Sequence, residues 1–234
     1  MKEKNISSLG QGIRAGLPIA AGYLPIAVAF GALAVQAGLT WWEGTLMSLL
    51  VYAGASQFVG VGMLLSGADL PQIVAATFFL NLRHLLMSLS LQEGFQGFSL
   101  VWKWLLSFGI TDESFARLSL GDGGAGQRVP LKPRYTAGLM FTAYCGWVVG
   151  TALGGLTSGF LPGNVTEAMT AGLYALFIAL LVPALKGSWV WGAVALISMA
   201  ANTLLSTALE SGWSIVLATL LASLVGVRWG EESP

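Results

Sequence analysis

The sequence predicts an all-α integral membrane protein, a polytopic bundle of about eight transmembrane helices, with about seven as the alternative. Two observations carry this prediction. Hydrophobic residues make up 55% of the 234-residue chain and charged residues only 9%, and its mean hydropathy is strongly positive, which is unlike an ordinary soluble domain. Apolar runs long enough to cross a bilayer also recur along the chain. The formal net charge is zero, so the charge balance does not indicate a nucleic-acid partner.

The apolar runs define the candidate helices when about 20 residues are taken per crossing. The predicted spans are 13–37, 44–65, 71–91, 98–115, 135–158, 165–185, 189–209 and 214–227. The first is as long as a full span and follows a polar start, so we expect a membrane helix there and no cleavable signal sequence. The fourth and the eighth are short for complete crossings.

Basic residues predict the orientation, since lysine and arginine are enriched in cytoplasmic loops. With the N-terminus inside, most of them fall at cytoplasmic ends, namely Lys2, Lys4, Arg14, Arg117, Arg128, Lys132, Arg134, Lys186 and Arg228. Only Lys103 and the intramembrane Arg83 depart from this pattern. We therefore expect a multi-pass protein in the lipid bilayer, with both termini cytoplasmic.

The two halves of the chain share a pattern. Tyr23 and Tyr144, Gly38 and Gly159, and Asn81 and Asn202 are separated by the same interval. This predicts a first membrane repeat at 1–118, a cytoplasmic loop at 119–133 and a second membrane repeat at 134–234. Four crossings in each half would make the repeats parallel. A fourth segment that only dips into the bilayer would make them inverted and leave about seven helices.

Helix-breaking residues are concentrated in the first predicted helix, where Pro18 and Pro25 flank Tyr23. Two prolines about two turns apart remove backbone hydrogen bonds, so we expect the helix to kink or open near mid-depth. A kink that serves only packing is the alternative, because proline is common in membrane helices.

The second predicted helix contains YAGASQF (52–58), with small and polar residues at the middle of the span. Small residues let backbones approach closely, and the Gln57 carboxamide needs a hydrogen-bond partner away from water. One interpretation is an interhelical hydrogen bond without a ligand. The other is a local break that exposes backbone groups to a substrate.

The third predicted helix places an arginine and a histidine in NLRH (81–84) at mid-span, where a charge is costly unless it is paired or hydrated. The planar guanidinium of Arg83 suits a carboxylate, from an internal ion pair or from a substrate. His84 is the only histidine, and its side chain titrates nearest to neutral pH. It is interpreted either as a packing residue or as a proton carrier.

Two adjacent carboxylates, Asp112 and Glu113, follow near the end of the fourth segment. Adjacent residues point in different directions on a helix, so at most one of them readily faces Arg83. Asp112 is a candidate to neutralise that cation or to exchange protons. The alternative is a helix end with a surface pair between Glu113 and Arg117.

Enzymatic and metal chemistry have little support. The single cysteine, Cys145, excludes an internal disulfide and a cysteine-based metal cluster. No HExxH or GxSxG motif is present, so we expect no catalytic residues, no metal and no cofactor.

The motifs taken together resemble the large subunit of the AzlC-type branched-chain amino acid exporters, the AzlC/YgaZ-like family. The resemblance is carried by GLP (16–18), GYLP (22–25), FG (30–31), YAGASQF (52–58), NLRH (81–84) and TDE (111–113). These motifs occur in the expected order, and the chain has the expected length, so the resemblance implies a match over essentially the whole chain. The resemblance implies export of valine, leucine, isoleucine and often methionine across the bacterial inner membrane, together with a small hydrophobic AzlD-type partner subunit.

A branched-chain zwitterion needs donors for its carboxylate, oxygen acceptors for its ammonium group and an apolar pocket. The predicted substrate contacts are Tyr23, Pro25, Tyr52, Gly54, Ser56, Gln57, Phe58, Asn81, Arg83 and Asn202. The candidates for proton coupling are His84, Asp112 and Glu113. In the repeat register Arg83 and His84 match Leu204 and Leu205, so we expect one substrate site built mostly by the first half. A passive channel and a non-transporting scaffold subunit are the competing functions.

Overall fold

The computed structural model describes residues 8–120, 131–160, 178, 182, 185, 189–209 and 211–230, and every regular element among them is helical. The α-helices are α1 (Leu9–Gln36), α2 (Trp41–Leu50), α3 (Gly54–Leu65), α4 (Leu70–Leu91), α5 (Leu100–Ser107), α6 (Asp112–Leu120), α7 (Pro133–Thr157), α8 (Val190–Leu205) and α9 (Ser211–Gly230). Short 3-10 turns lie at Glu93–Phe95 and Ser158–Phe160. The predicted helix 165–185 lies almost wholly outside the described residues.

Helix α1 is one continuous helix with Pro18 and Pro25 inside it. The expectation that the prolines open this helix is therefore wrong. Each proline removes only one backbone hydrogen bond, and the remaining turns and the packing of the helix preserve its continuity. Its N-terminus is closed by a capping box, in which Ser8 and Gln11 each accept a hydrogen bond from the other's backbone N–H.

The second predicted span, 44–65, is two helices in the structure, because α2 ends at Leu50 and α3 begins at Gly54. The predicted local break is confirmed. Between the helices, Tyr52 adopts a left-handed backbone conformation with φ 46°, which is unusual for a bulky residue. A break of this kind exposes backbone groups that a continuous helix would pair.

The fourth predicted span, 98–115, is also interrupted, because α5 ends at Ser107 and α6 begins at Asp112. Hydrogen bonds between Thr111 and Ser114 hold the start of α6. The Thr111 N–H donates to Ser114 Oγ at 2.8 Å, and the Ser114 N–H donates to Thr111 Oγ1 at 3.3 Å. This is the side-chain capping expected where a helix begins.

Helices α1 and α7 pack closely because glycines line their contact. A Cβ atom on Gly12 would lie 2.0 Å from the carbonyl oxygen of Tyr135, and one on Gly31 would lie 2.1 Å from that of Thr151. The contact positions advance together along both helices, so α1 and α7 run in the same direction. Small residues allow such approach where lipid supplies no hydrophobic driving force.

The chain divides into two units, Met1–Gln57 with Asn81–Pro162, and Phe58–Leu80 with Gly163–Pro234. The first unit has a core of buried apolar side chains. Its members are Met87, Leu91, Phe95, Phe98, Leu106, Ile110, Leu118, Tyr135, Leu139 and Met140. In the second unit, Met63 and Ala76 form a smaller cluster, and Trp189 packs against Trp229 with ring centroids 6.0 Å apart.

Three helical segments of the described chain are long and apolar enough to cross a membrane, Leu9–Gln36, Leu70–Leu91 and Pro133–Phe160. Large apolar side chains also stay exposed along the helices, including Leu86 at 68% and Leu224 at 69%. Exposed leucines of this density are unfavourable in water and favourable in hydrocarbon. The helical fold is therefore that of an integral membrane protein.

Candidate functional site

An ion pair joins α4 to α6. Nη1 of Arg83 lies 2.8 Å from Oδ2 of Asp112, and each side chain retains 29% of its exposure. The predicted neutralisation of Arg83 by Asp112 is confirmed. Arg83 Nε is buried without a hydrogen-bond partner in the structure. The guanidinium is thus paired on one side and still has an unused donor.

A second polar contact involves Glu113, the residue next to Asp112. The Tyr23 hydroxyl, on α1, donates to the Glu113 carboxylate and lies 2.7 Å from the Thr111 hydroxyl. Both carboxylates occupy the first turn of α6, where the helix dipole favours negative charge. Because adjacent residues diverge on a helix, one carboxylate reaches α4 and the other reaches α1.

The break between α2 and α3 lies against the break between α5 and α6. The ring of Tyr52 is 6.0 Å from that of Phe108 and 4.9 Å from that of Tyr144, measured between centroids. The Tyr144 hydroxyl donates to the carbonyl oxygen of Leu49 at 2.8 Å, so α7 satisfies a backbone group at the end of α2. The Tyr52 hydroxyl is buried and makes no close hydrogen bond, but it lies beside the Tyr23 hydroxyl and Glu113.

Gln57 belongs to a closed hydrogen-bond network. Its Nε2 donates to Ser48 Oγ at 2.9 Å, and its Oε1 accepts from the indole N–H of Trp147 at 3.0 Å. The Ser48 hydroxyl also lies 2.8 Å from the Thr151 hydroxyl. Gly54 makes this arrangement possible, because a Cβ atom there would lie 2.7 Å from the Trp147 ring. The network meets the need of buried polar groups for partners. The interhelical hydrogen bond expected of Gln57 is therefore present together with the break.

Asn81 and His84 extend the polar cluster along α4. The Ser56 hydroxyl donates to Asn81 Oδ1, so the start of α3 is tied to α4. His84 Nδ1 lies 3.2 Å from the Asn81 carbonyl oxygen, and the Ser88 hydroxyl donates to the His84 carbonyl oxygen at 2.7 Å. A hydrogen bond at Nδ1 would leave Nε2 of His84 as the proton acceptor.

The structure thus brings most of the predicted site residues together in the first unit. The exceptions are Pro25, which lies on an exposed part of α1, and Phe58 and Asn202, which belong to the second unit. Within that unit, Asn202 Oδ1 accepts a hydrogen bond from Ser214 at 2.9 Å. Whether these residues contact substrate stays a prediction.

Trp147 was not among the predicted residues, although it packs edge-on against Tyr23 with ring centroids 5.6 Å apart. A tryptophan in the middle of a span, rather than at the membrane interface, was the signal available in the sequence. The described residues contain no group of three or more His, Cys, Asp or Glu side chains able to hold a metal ion.

The first unit therefore places charged and aromatic side chains at two helix interruptions within a membrane bundle. This defines an α-helical integral membrane protein with a polar site supported by non-helical backbone, which is tolerated at membrane depth only where protein or water surrounds it.

The family model described as AzlC protein matches residues 18–161. The chain is 37% identical to an uncharacterized membrane protein of Archaeoglobus fulgidus over 79% of both chains. It is 34% identical to the inner membrane protein YgaZ of Escherichia coli over 74% of this chain and 71% of the relative. It is 28% identical to the branched-chain amino acid transport protein AzlC of Bacillus subtilis over 71% of this chain and 63% of the relative. No solved structure is significantly similar to the chain. The chain belongs to the AzlC family.

Proposed function

We propose that the protein is a secondary active transporter that exports valine, leucine, isoleucine and methionine across the bacterial inner membrane, driven by proton entry. The name of the Bacillus subtilis relative, a branched-chain amino acid transport protein, supports the substrate class. The observation that carries the proposal is the partly exposed ion pair between Arg83 and Asp112.

The ion pair is complementary to both ends of an amino-acid zwitterion. In our proposal the substrate carboxylate replaces Asp112 on Arg83, and the substrate ammonium replaces Arg83 on Asp112. The unused Nε of Arg83 provides a second donor for a two-pronged contact with a carboxylate. The exchange leaves no charge unpaired, which limits its cost within the membrane.

Proton coupling is assigned to the carboxylates and the histidine around this pair. Glu113 accepts its hydrogen bond from Tyr23 on α1, and His84 lies next to Arg83 on α4. Protonation of Asp112, Glu113 or His84 changes the charge balance against Arg83. It thereby favours one of the inward-open and outward-open states over the other.

The proposed topology has about eight crossings in two parallel repeats, 1–118 and 134–234, linked by a cytoplasmic loop at 119–133. The common direction of α1 and α7 supports it. Helices that run the same way across a bilayer are connected by an odd number of crossings, as the segments 44–65, 71–91 and 98–115 provide. A fourth segment that only dipped into the membrane would reverse α7 relative to α1.

Transport can be tested in inside-out membrane vesicles that contain the full-length chain, with and without an AzlD-type subunit. When the lumen, which corresponds to the periplasm, is acidified, labelled leucine should accumulate above its outside concentration. Leucine that equilibrates across the membrane without accumulating would indicate a passive channel. No leucine uptake, either with or without the AzlD-type subunit, would indicate a scaffold subunit.

Two matched substitutions test the role of the ion pair. Arg83→Lys keeps the charge and removes the planar fork, so the affinity for leucine should fall by about tenfold. Arg134→Lys, at an exposed position near the start of α7, is the control and should leave it unchanged. Separate His84→Asn and Glu113→Gln variants test coupling, because undiminished pH dependence in both would remove these residues from the proton path.

A further inference from the structure

A cavity of about 370 Å³ lies between α5 and α7 in the first unit. The cavity is open on one side, and its apolar lining combines the buried Leu106 and Met140 with the exposed Leu105, Phe108 and Phe141. This volume is at the lower end of the range of about 300–1,000 Å³ that is typical of small-molecule sites. Neither the charged pair nor the Gln57 network uses this space.

The cavity and the charged site share one structural element, the interruption between α5 and α6. Phe108 and Gly109 line the cavity, while Thr111 and Asp112, after the single residue Ile110, carry the polar contacts. Three residues reach at most about 11 Å, so the apolar space lies close to the groups proposed to hold the zwitterion.

Tyr52 stands between these two regions. Its ring contacts both Phe108 and Tyr144, two of the residues that line the cavity. Its backbone has the left-handed conformation, which a tyrosine adopts only where its surroundings impose it. Its hydroxyl is buried, makes no close hydrogen bond, and lies beside the Tyr23 hydroxyl and Glu113, so Tyr52 reaches from the cavity to the polar contacts at the start of α6.

We propose that the cavity between α5 and α7 is the subsite for the apolar side chain of the transported amino acid, and that Tyr52 positions the substrate between this subsite and the Arg83–Asp112 pair. This inference rests on the proposed transport function. The substrate backbone binds beside the Tyr52 hydroxyl, while its side chain enters the space beside Phe108. Continuity with the charged site favours this occupant over a lipid acyl chain or an apolar subunit.

The test measures how unlabelled alanine, valine, leucine and phenylalanine compete with labelled leucine for transport by the full chain in proteoliposomes. Ala137→Leu places a larger side chain in the cavity wall. It should weaken competition by leucine by about tenfold or more and leave competition by alanine unchanged. Phe108→Ala enlarges the cavity and should improve competition by phenylalanine. Ala152→Leu, at a half-buried position of α7 outside the cavity lining, is the control and should keep the wild-type profile.

The subsite proposal is contradicted if the wild-type protein transports leucine but both cavity variants rank the competing amino acids by size in the same way as Ala152→Leu. It is also overturned if Ala137→Leu weakens alanine and leucine equally, or if only the acyl-chain length of the lipid alters transport by the variants. If Ala137→Leu does not fold, Phe108→Ala alone tests the subsite. Phe108 is 45% exposed, so its truncation should leave the fold intact. A wild-type protein that transports no branched-chain amino acid would instead overturn the proposed function itself.

Discussion

Arg83 on α4 and Asp112 at the start of α6 form an ion pair with 2.8 Å between Nη1 and Oδ2. The pair connects a helix of membrane-spanning length to the beginning of a short one, at an interruption whose other residues contact α1 and the α2–α3 break. The positive charge of Arg83, which would be costly in a membrane if it had no partner, is therefore neutralised within the protein.

Breaking this pair from one side should destabilise the protein, because the remaining charge loses its partner. We expect Arg83→Gln or Asp112→Asn to lower the free energy of unfolding by about 1–3 kcal/mol, between the values for exposed and buried pairs. The double variant should recover most of this loss but not transport. Thermal unfolding in detergent checks stability. A double variant as unstable as the sum of the single ones would contradict the pairing.

The hydroxyl of Tyr23 should matter for stability and for transport. Tyr23→Phe removes the donor to Glu113 and the contact with Thr111, so we expect a loss of about 1–3 kcal/mol. Tyr144→Phe removes a hydrogen bond to Leu49 at an exposed position and should cost less. Chemical denaturation of the two variants side by side gives the comparison, and equal losses would argue against a special role for Tyr23.

Packing between α1 and α7 predicts a difference between two glycines of the same helix. Gly31→Ala forces a methyl group into the backbone of Thr151 and should destabilise by about 1–3 kcal/mol. Gly22→Ala meets no atom within 4 Å and should be neutral or slightly stabilising. The melting temperatures of the two variants measure this, and equal effects would show that the helices do not approach as described.

The Gln57 network should behave as one cooperative unit. Trp147→Phe leaves Gln57 Oε1 without its indole donor, and Gln57→Leu leaves the indole N–H unpaired. Each should cost about 1–3 kcal/mol. A double-mutant cycle should give a coupling energy of at least about 0.5 kcal/mol. Strictly additive losses would mean that the two side chains do not interact.

The start of α2 should weaken in acid. Hydrogen bonds from the Thr40 hydroxyl and then from its backbone N–H lower the pKa of Glu43 from its ordinary value of 4.5. A lowered pKa in the folded state contributes stability above the unfolded pKa, and this contribution is lost as the pH falls through the folded pKa. Amide exchange in the first turn of α2, corrected for its intrinsic pH dependence, should therefore accelerate in acid. Glu43→Gln should remove this acid-specific change.

By itself, the sequence determined the helical membrane class and the position of most described helices, because hydrophobic length and composition act locally. It also identified the residue types of the polar site and left a break within YAGASQF as one of two interpretations, since small and polar residues at mid-span are rare without a reason.

Only the tertiary structure decided which groups meet. Helix periodicity allowed either Asp112 or Glu113 to face Arg83, and in the folded chain it is Asp112 that reaches the guanidinium. Glu113 is bound by Tyr23, and Gln57 by Trp147 far along the chain. The continuity of α1 through two prolines is likewise a property of its surroundings. Such contacts depend on the relative rotation and depth of helices, which local hydrophobic patterns do not encode.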